Sequence, residues 1–124
     1  MYSKELLDHF QNPRNVGELA PPAQRIEVSN PACGDILRLS ARWEEGRIAE
    51  VHYLTRGCTA SIAAGSALTE LLQGRTAAEA ALLGARDVEA AVGGLASESK
   101  HAAVLAMDGV RALLKSYHSP SKSR

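Results

Sequence analysis

Leu37-Arg38-Leu39-Ser40-Ala41-Arg42-Trp43-Glu44-Glu45-Gly46, followed closely by Ile48-Ala49-Glu50-Val51-His52-Tyr53-Leu54-Thr55, decides the fold. In the first run Leu37, Leu39, Ala41 and Trp43 alternate with Arg38, Ser40 and Arg42, the period of a strand with one wet face. Glu44-Glu45-Gly46 supplies a turn, and the second run is rich in β-formers, so a hairpin is predicted. Upstream, Arg25-Ile26-Glu27-Val28-Ser29 alternates in the same way and adds a third antiparallel strand.

Past Gly57 the pattern changes to small and aliphatic residues without proline over residues 60–72, with Gly74 as a C-terminal stop, which predicts a helix with a small-residue face. Thr76 can cap a short helix over 77–83, and Asp87 another over 88–92 before Gly93-Gly94 interrupts. Residues 98–117 read as a longer helix whose stripe of Leu105, Val110, Leu113, Leu114 and Tyr117 packs on the sheet. At the other end, Leu6, Leu7 and Phe10 fall at helical spacing behind a Ser3 cap. Residues 11–23, with Pro13, Gly17, Pro21 and Pro22, form a surface connection. Strands first and helices after, with helices able to cover only one face of a small sheet, give an α+β fold: a three-stranded antiparallel sheet with helices packed on one face in two layers. One domain is expected over residues 1–118, with a polar tail at 119–124.

The composition excludes several classes. Of 124 residues, 45% are hydrophobic and 23% charged, as in an ordinary globular chain, so neither disorder nor a membrane protein is indicated. Aromatics are 4%, so the core is expected to be aliphatic. Lys plus Arg equals Asp plus Glu at 14 each, and no overall field draws the chain to nucleic acid or to an anionic membrane. The first ten residues carry charges where a secretory signal needs an apolar run, and no stretch reaches spanning length, so a cytoplasmic location is expected. In a reducing compartment two cysteines are thiols free for chemistry or metal.

Cys33 lies in Asn30-Pro31-Ala32-Cys33-Gly34-Asp35, a turn-like segment between two predicted strands that presents a thiol on a loop, with the Asp35 carboxylate two residues on. The alternative is a cysteine buried as a small hydrophobe beside an ordinary turn aspartate. Cys58 stands where the third strand hands over to a helix, and the free N–H groups and dipole of a helix N-terminus stabilise a thiolate. A cysteine packed under the helix start is its alternative. His101 begins the last helix beside Lys100, where a histidine can equally be a solvated surface residue; His9, His52 and His118 have no context that singles them out and are expected at the surface. Two thiolates, a carboxylate and an imidazole make a competent tetrahedral set for zinc, and the same ligand types hold iron-sulfur units. The four residues are far apart in sequence, so only the fold can assemble them. No serine sits in a nucleophile elbow and no phosphate-binding glycine loop is present.

The sequence resembles the NifU/IscU family of iron-sulfur cluster scaffolds from Tyr2 to about Tyr117. Three segments carry the resemblance: Leu7-Asp8-His9-Phe10-Gln11-Asn12-Pro13-Arg14-Asn15-Val16-Gly17, Asn30-Pro31-Ala32-Cys33-Gly34-Asp35, and Arg56-Gly57-Cys58-Thr59-Ala60-Ser61-Ile62-Ala63. The resemblance implies a scaffold or carrier, not an enzyme. Such a protein receives sulfur as persulfide from a cysteine desulfurase, takes up iron, builds a 2Fe-2S cluster and passes it to recipient apo-proteins. It implies Cys33 and Cys58 as cluster ligands, Asp35 as the carboxylate that keeps the cluster labile, and His101 in a further stretch that corresponds to the family's third cysteine segment. In the family that third segment reads His-Cys before a helix, whereas Lys100-His101-Ala102-Ala103 places Ala102 where the cysteine stands. An alanine methyl can neither ligate metal nor attack sulfur. Residues 95–100 also lack the Pro-Pro pair by which a dedicated chaperone recognises many members, so that chaperone is not expected. A second reading is therefore a zinc-bound interaction protein that docks to a desulfurase without building clusters. A homo-oligomer is left open.

Overall fold

The hairpin is the centre of the sheet. In the computed structural model, which describes residues 2–32 and 34–118, β2 (Asp35–Glu44) and β3 (Arg47–Arg56) pair antiparallel. They are joined by Glu45 and Gly46, both at positive φ (52° and 77°), the left-handed pair of a type I′ turn that matches strand twist. β1 (Gln24–Asn30) adds on the other side of β2, with Asn30 opposite Asp35, giving the order β1-β2-β3. A register shift at Arg42/Trp43 bends the far end of the hairpin.

One face of the sheet is dry. Leu37, Leu39, Ala41, Ile48, Val51 and Tyr53 are buried there, against Ala60, Ala64 and Leu68 of α2 (Thr59–Leu72) and Leu105, Val110 and Leu113 of α5 (His101–Tyr117). The two helices come unusually close to the strands because each carries a glycine at the contact. A Cβ at Gly65 would lie 2.6 Å from the Tyr53 ring, and one at Gly109 would lie 2.9 Å from Leu37 Cδ2. Tyr53, its hydroxyl donating to the Ile62 carbonyl at 3.0 Å, is so desolvated that its pKa is pushed up to about 12. At the far end Tyr117 stacks on Trp43 with ring centroids 3.8 Å apart. Trp43 Nε1 donates to Gln24 Oε1, and Gln24 Nε2 donates to the Leu113 carbonyl. The C-terminal end of α5 is thus pinned to β1 and β2.

The short helices brace this core. Thr76 caps α3 (Ala77–Ala81) in a reciprocal capping box with Glu79, as its sequence predicts. α4 (Ala85–Ala91) starts earlier than expected: Asp87 is not its cap but its third residue, accepting from the Gly84 N–H at 2.8 Å. The last helix begins at His101, with a 3-10 turn at Ser97–Ser99 before it. Ser3 caps α1 (Lys4–Gln11), accepting from Leu6 N at 2.9 Å while its own hydroxyl donates to the Val92 carbonyl.

The face of α1 is a correction. Leu6 and His9 are buried, and Leu7 and Phe10 are each 37% exposed. A polar network makes this affordable. Ser66 Oγ accepts from the Arg14 N–H at 2.9 Å and donates to His9 Nδ1 at 2.8 Å, and Arg14 Nη1 lies 3.2 Å from the same nitrogen. Nδ1 is therefore an acceptor, and a proton there would break these bonds. His52, also expected at the surface, is half-buried and reaches Glu50 at 3.1 Å, whereas His118 is exposed. The connection after α1 first bridges β3 through backbone bonds, with Gly17 N donating to the Tyr53 carbonyl and Tyr53 N to that of Asn15, and Leu19 N then donates to the Ser40 side chain. The polar tail 119–124 lies outside the described residues. Among the described residues no helix is long and apolar enough to cross a membrane.

Two expected outcomes follow from this packing. Gly→Ala in an exposed helix stabilises by about 1 kcal/mol, but Gly65→Ala should destabilise by about 1–3 kcal/mol because the buried Tyr53 ring has nowhere to go, read from urea unfolding midpoints. Burial, and then the Arg14 cation, lower the pKa of His9 from its ordinary 6.5 against the opposing pull of Glu70 and Asp8. The unfolded chain therefore binds that proton more readily. The contribution of neutral His9 is complete above about pH 6.5 and is lost as pH falls through the lower folded value. The melting temperature should fall between about pH 7 and about pH 5 more steeply in the wild-type protein than in His9→Asn; parallel profiles would refute this.

Candidate metal centre

Three elements deliver the site. Asp35 opens β2 directly after Gly34, whose φ of 76° suits the tight turn. In that turn the Gly34 N–H donates to the Asn30 carbonyl at 2.7 Å and the Ala32 N–H to the Asn30 side chain at 3.0 Å. Cys58 is the N-cap of α2, with extended backbone and no side-chain capping bond of its own, so its sulfur is free to point elsewhere. His101 is the first residue of α5. Packing both helices on the same face of the sheet brings their N-termini together at the start of β2.

The donor atoms converge. Cys58 Sγ is 3.8 Å from Asp35 Oδ2 and 3.5 Å from His101 Nε2, and His101 Nε2 is 3.4 Å from Asp35 Oδ2. Asp35 is buried, His101 half-buried and Cys58 exposed, so the group opens to solvent on the sulfur side. A zinc-like ion with bonds of about 2.3 Å to sulfur and about 2.0–2.1 Å to nitrogen or oxygen, at tetrahedral angles, separates sulfur from nitrogen or oxygen by about 3.6 Å and nitrogen from oxygen by about 3.4 Å. The three observed separations match these edges, so the residues fit a tetrahedral ion without rearrangement. Cys58 and His101 stand at the N-terminal ends of α2 and α5, so two helix starts meet at the group.

Of the four residues the sequence puts forward, the structure brings Asp35, Cys58 and His101 together; Cys33 lies outside the described residues. Ala102 is only 2% exposed and belongs to the core with Ala103 and Ala106. Two residues of the site were missed. Ser61, three residues after Cys58 on the first turn of α2, donates to Asp35 Oδ2 and lies 3.4 Å from Cys58 Sγ. Gly57 lies against the carboxylate: a Cβ there would be 2.6 Å from Asp35 Cγ. The i, i+3 spacing of Cys58 and Ser61 was the available signal for the first; nothing in the sequence announced the second.

The chain is similar to known proteins over most of its length. The profile described as the NifU-like N terminal domain matches residues 1–124. The chain belongs to that family. The iron-sulfur cluster assembly scaffold protein IscU of Azotobacter vinelandii is 37% identical over 120 residues, covering 94% of this chain and 93% of that protein. The scaffold protein IscU 1 of Archaeoglobus fulgidus is 38% identical over 117 residues, covering 94% and 76%. The crystal structure of the N-terminal part of a nitrogen-fixing NifU-like protein from Brucella abortus superposes with a TM-score of 0.60 at 24% identity, covering 89% of this chain and 77% of that one, and shares the fold. For a NifU-like domain, the α+β sheet-and-helix arrangement and the resemblance read in the three sequence segments both hold.

Proposed function

We propose that this NifU-like domain is an iron-sulfur cluster scaffold or carrier, a binding protein rather than a catalyst. Iron and a 2Fe-2S cluster are its cargo, and Asp35, Cys58 and His101 are ligands. The observation that carries the reading is the convergence of a carboxylate, a sulfur and an imidazole within 4.8 Å at two helix N-termini. The set mixes one soft, one borderline and one hard donor; the exposed sulfur side gives cargo a way in and out, and a carboxylate in place of a further thiolate holds iron less tightly. Cys33, two residues before Asp35 in sequence, is the fourth donor of the proposal. The names of the IscU relatives support the scaffold role. A cysteine desulfurase as sulfur source and apo-proteins as recipients are the partners this role requires. With alanine at 102, sulfur is not accepted at that position, which favours holding and handing on a cluster over full assembly.

The match of the donor triangle to the edges of a single tetrahedral ion favours a second reading, a zinc-bound protein that docks to a desulfurase without building clusters. Anaerobic reconstitution with iron and sulfide separates the two. The first reading expects the absorbance and Mössbauer signals of a 2Fe-2S cluster, lost in Cys58→Ala. Stoichiometric tight zinc after purification without added metal, and no cluster on reconstitution, would establish the second in its place.

A further inference from the structure

We propose that Ser61 is a positioning residue that holds the Asp35 carboxylate aimed into the centre, and that this hydrogen bond sets how tightly the centre retains a metal ion. The inference rests on the reading of Asp35, Cys58 and His101 as ligands. Ser61 is 3% exposed, on the first turn of α2, and its hydroxyl donates to Oδ2, the same oxygen that lies 3.8 Å from Cys58 Sγ and 3.4 Å from His101 Nε2. Among the described residues the only ion-pair neighbour of Asp35 is His101, so no arginine or lysine fixes the carboxylate. The absent side chain of Gly57 leaves room for the same carboxylate: a Cβ there would lie 2.6 Å from Cγ, 2.8 Å from Oδ1 and 3.0 Å from Oδ2.

The carboxylate is thus held between a hydroxyl and a bare backbone. Its rotamer is selected before any ion arrives, and the ordering cost of binding is reduced at the one ligand that is buried. Removing an outer hydrogen bond of this kind typically lowers metal affinity about 10–100-fold. The alternative role for Ser61 is purely structural, a bond tying α2 to β2. The two roles separate because a positioning residue can act only through Asp35.

The experiment uses Co²⁺ as the probe, read by its thiolate charge-transfer absorption in competition with a chelator. Ser61→Ala should weaken Co²⁺ binding by about tenfold while keeping the charge-transfer band, since Cys58 still ligates, and Ser61→Thr should recover most of the loss. Gly57→Ala, which displaces the carboxylate with Ser61 intact, should weaken binding to a similar extent and stands as the independent variant if Ser61→Ala fails to fold. In a double-mutant cycle Ser61→Ala should cause no further loss on an Asp35→Ala background. Equal affinity for wild type and Ser61→Ala, or the same loss with Asp35 already removed, would overturn the positioning role and leave the metal centre standing. A wild-type protein without a charge-transfer band that Cys58→Ala abolishes would overturn the metal centre and this inference with it.

Discussion

Gly65 and Gly109 let the backbones of α2 and α5 settle against Tyr53, Leu37 and Leu39, and the position of every group at the centre follows from that approach. A helix held farther out would carry Cys58 or His101 away from Asp35, because each stands at the start of its helix. Small residues are poor at burying area, so the domain compensates with number: Ala60, Ala63, Ala64 and Ala67 on α2 and Ala102, Ala103 and Ala106 on α5 are all buried. The stacked Trp43 and Tyr117 fix the opposite end of α5, which makes the helix a strut running from the aromatic contact to the imidazole.

Burying a carboxylate that has no arginine or lysine partner among the described residues is costly unless its oxygens are satisfied. At Asp35 the compensation comes from the Ser61 hydroxyl and from His101. Oδ2 of the same carboxylate also faces the Cys58 sulfur, at 3.8 Å. The group is therefore buried on its carboxylate side and open to solvent on its sulfur side.

The first helix is attached by other means. His9 is buried as a neutral acceptor of bonds from Ser66 and Arg14, and Ser3 ties the helix start to the end of α4. Because the inward face of α1 uses a histidine, Leu7, Phe10 and the following Val16 are left on the outside.

Strand alternation, the Glu45-Gly46 turn, the Thr76 cap and the switch to small residues after Gly57 are local signals, and the chain alone determined from them three antiparallel strands followed by helices on one face. Residue type and the resemblance put forward Cys33, Asp35, Cys58 and His101 as candidates, and the fold brings the last three together. Local pattern misled at α1, because apolar spacing says nothing of a histidine whose burial depends on Ser66, 57 residues away. It misled again at Asp87, where a carboxylate can bond backward to Gly84 as readily as forward. Only tertiary structure decided that the three donor atoms are spaced like the corners of one tetrahedron, and that Ser61 and Gly57 lie against the carboxylate. The distances between ends of separate elements depend on how closely helix and sheet pack, a property set by pairs of residues far apart in the chain.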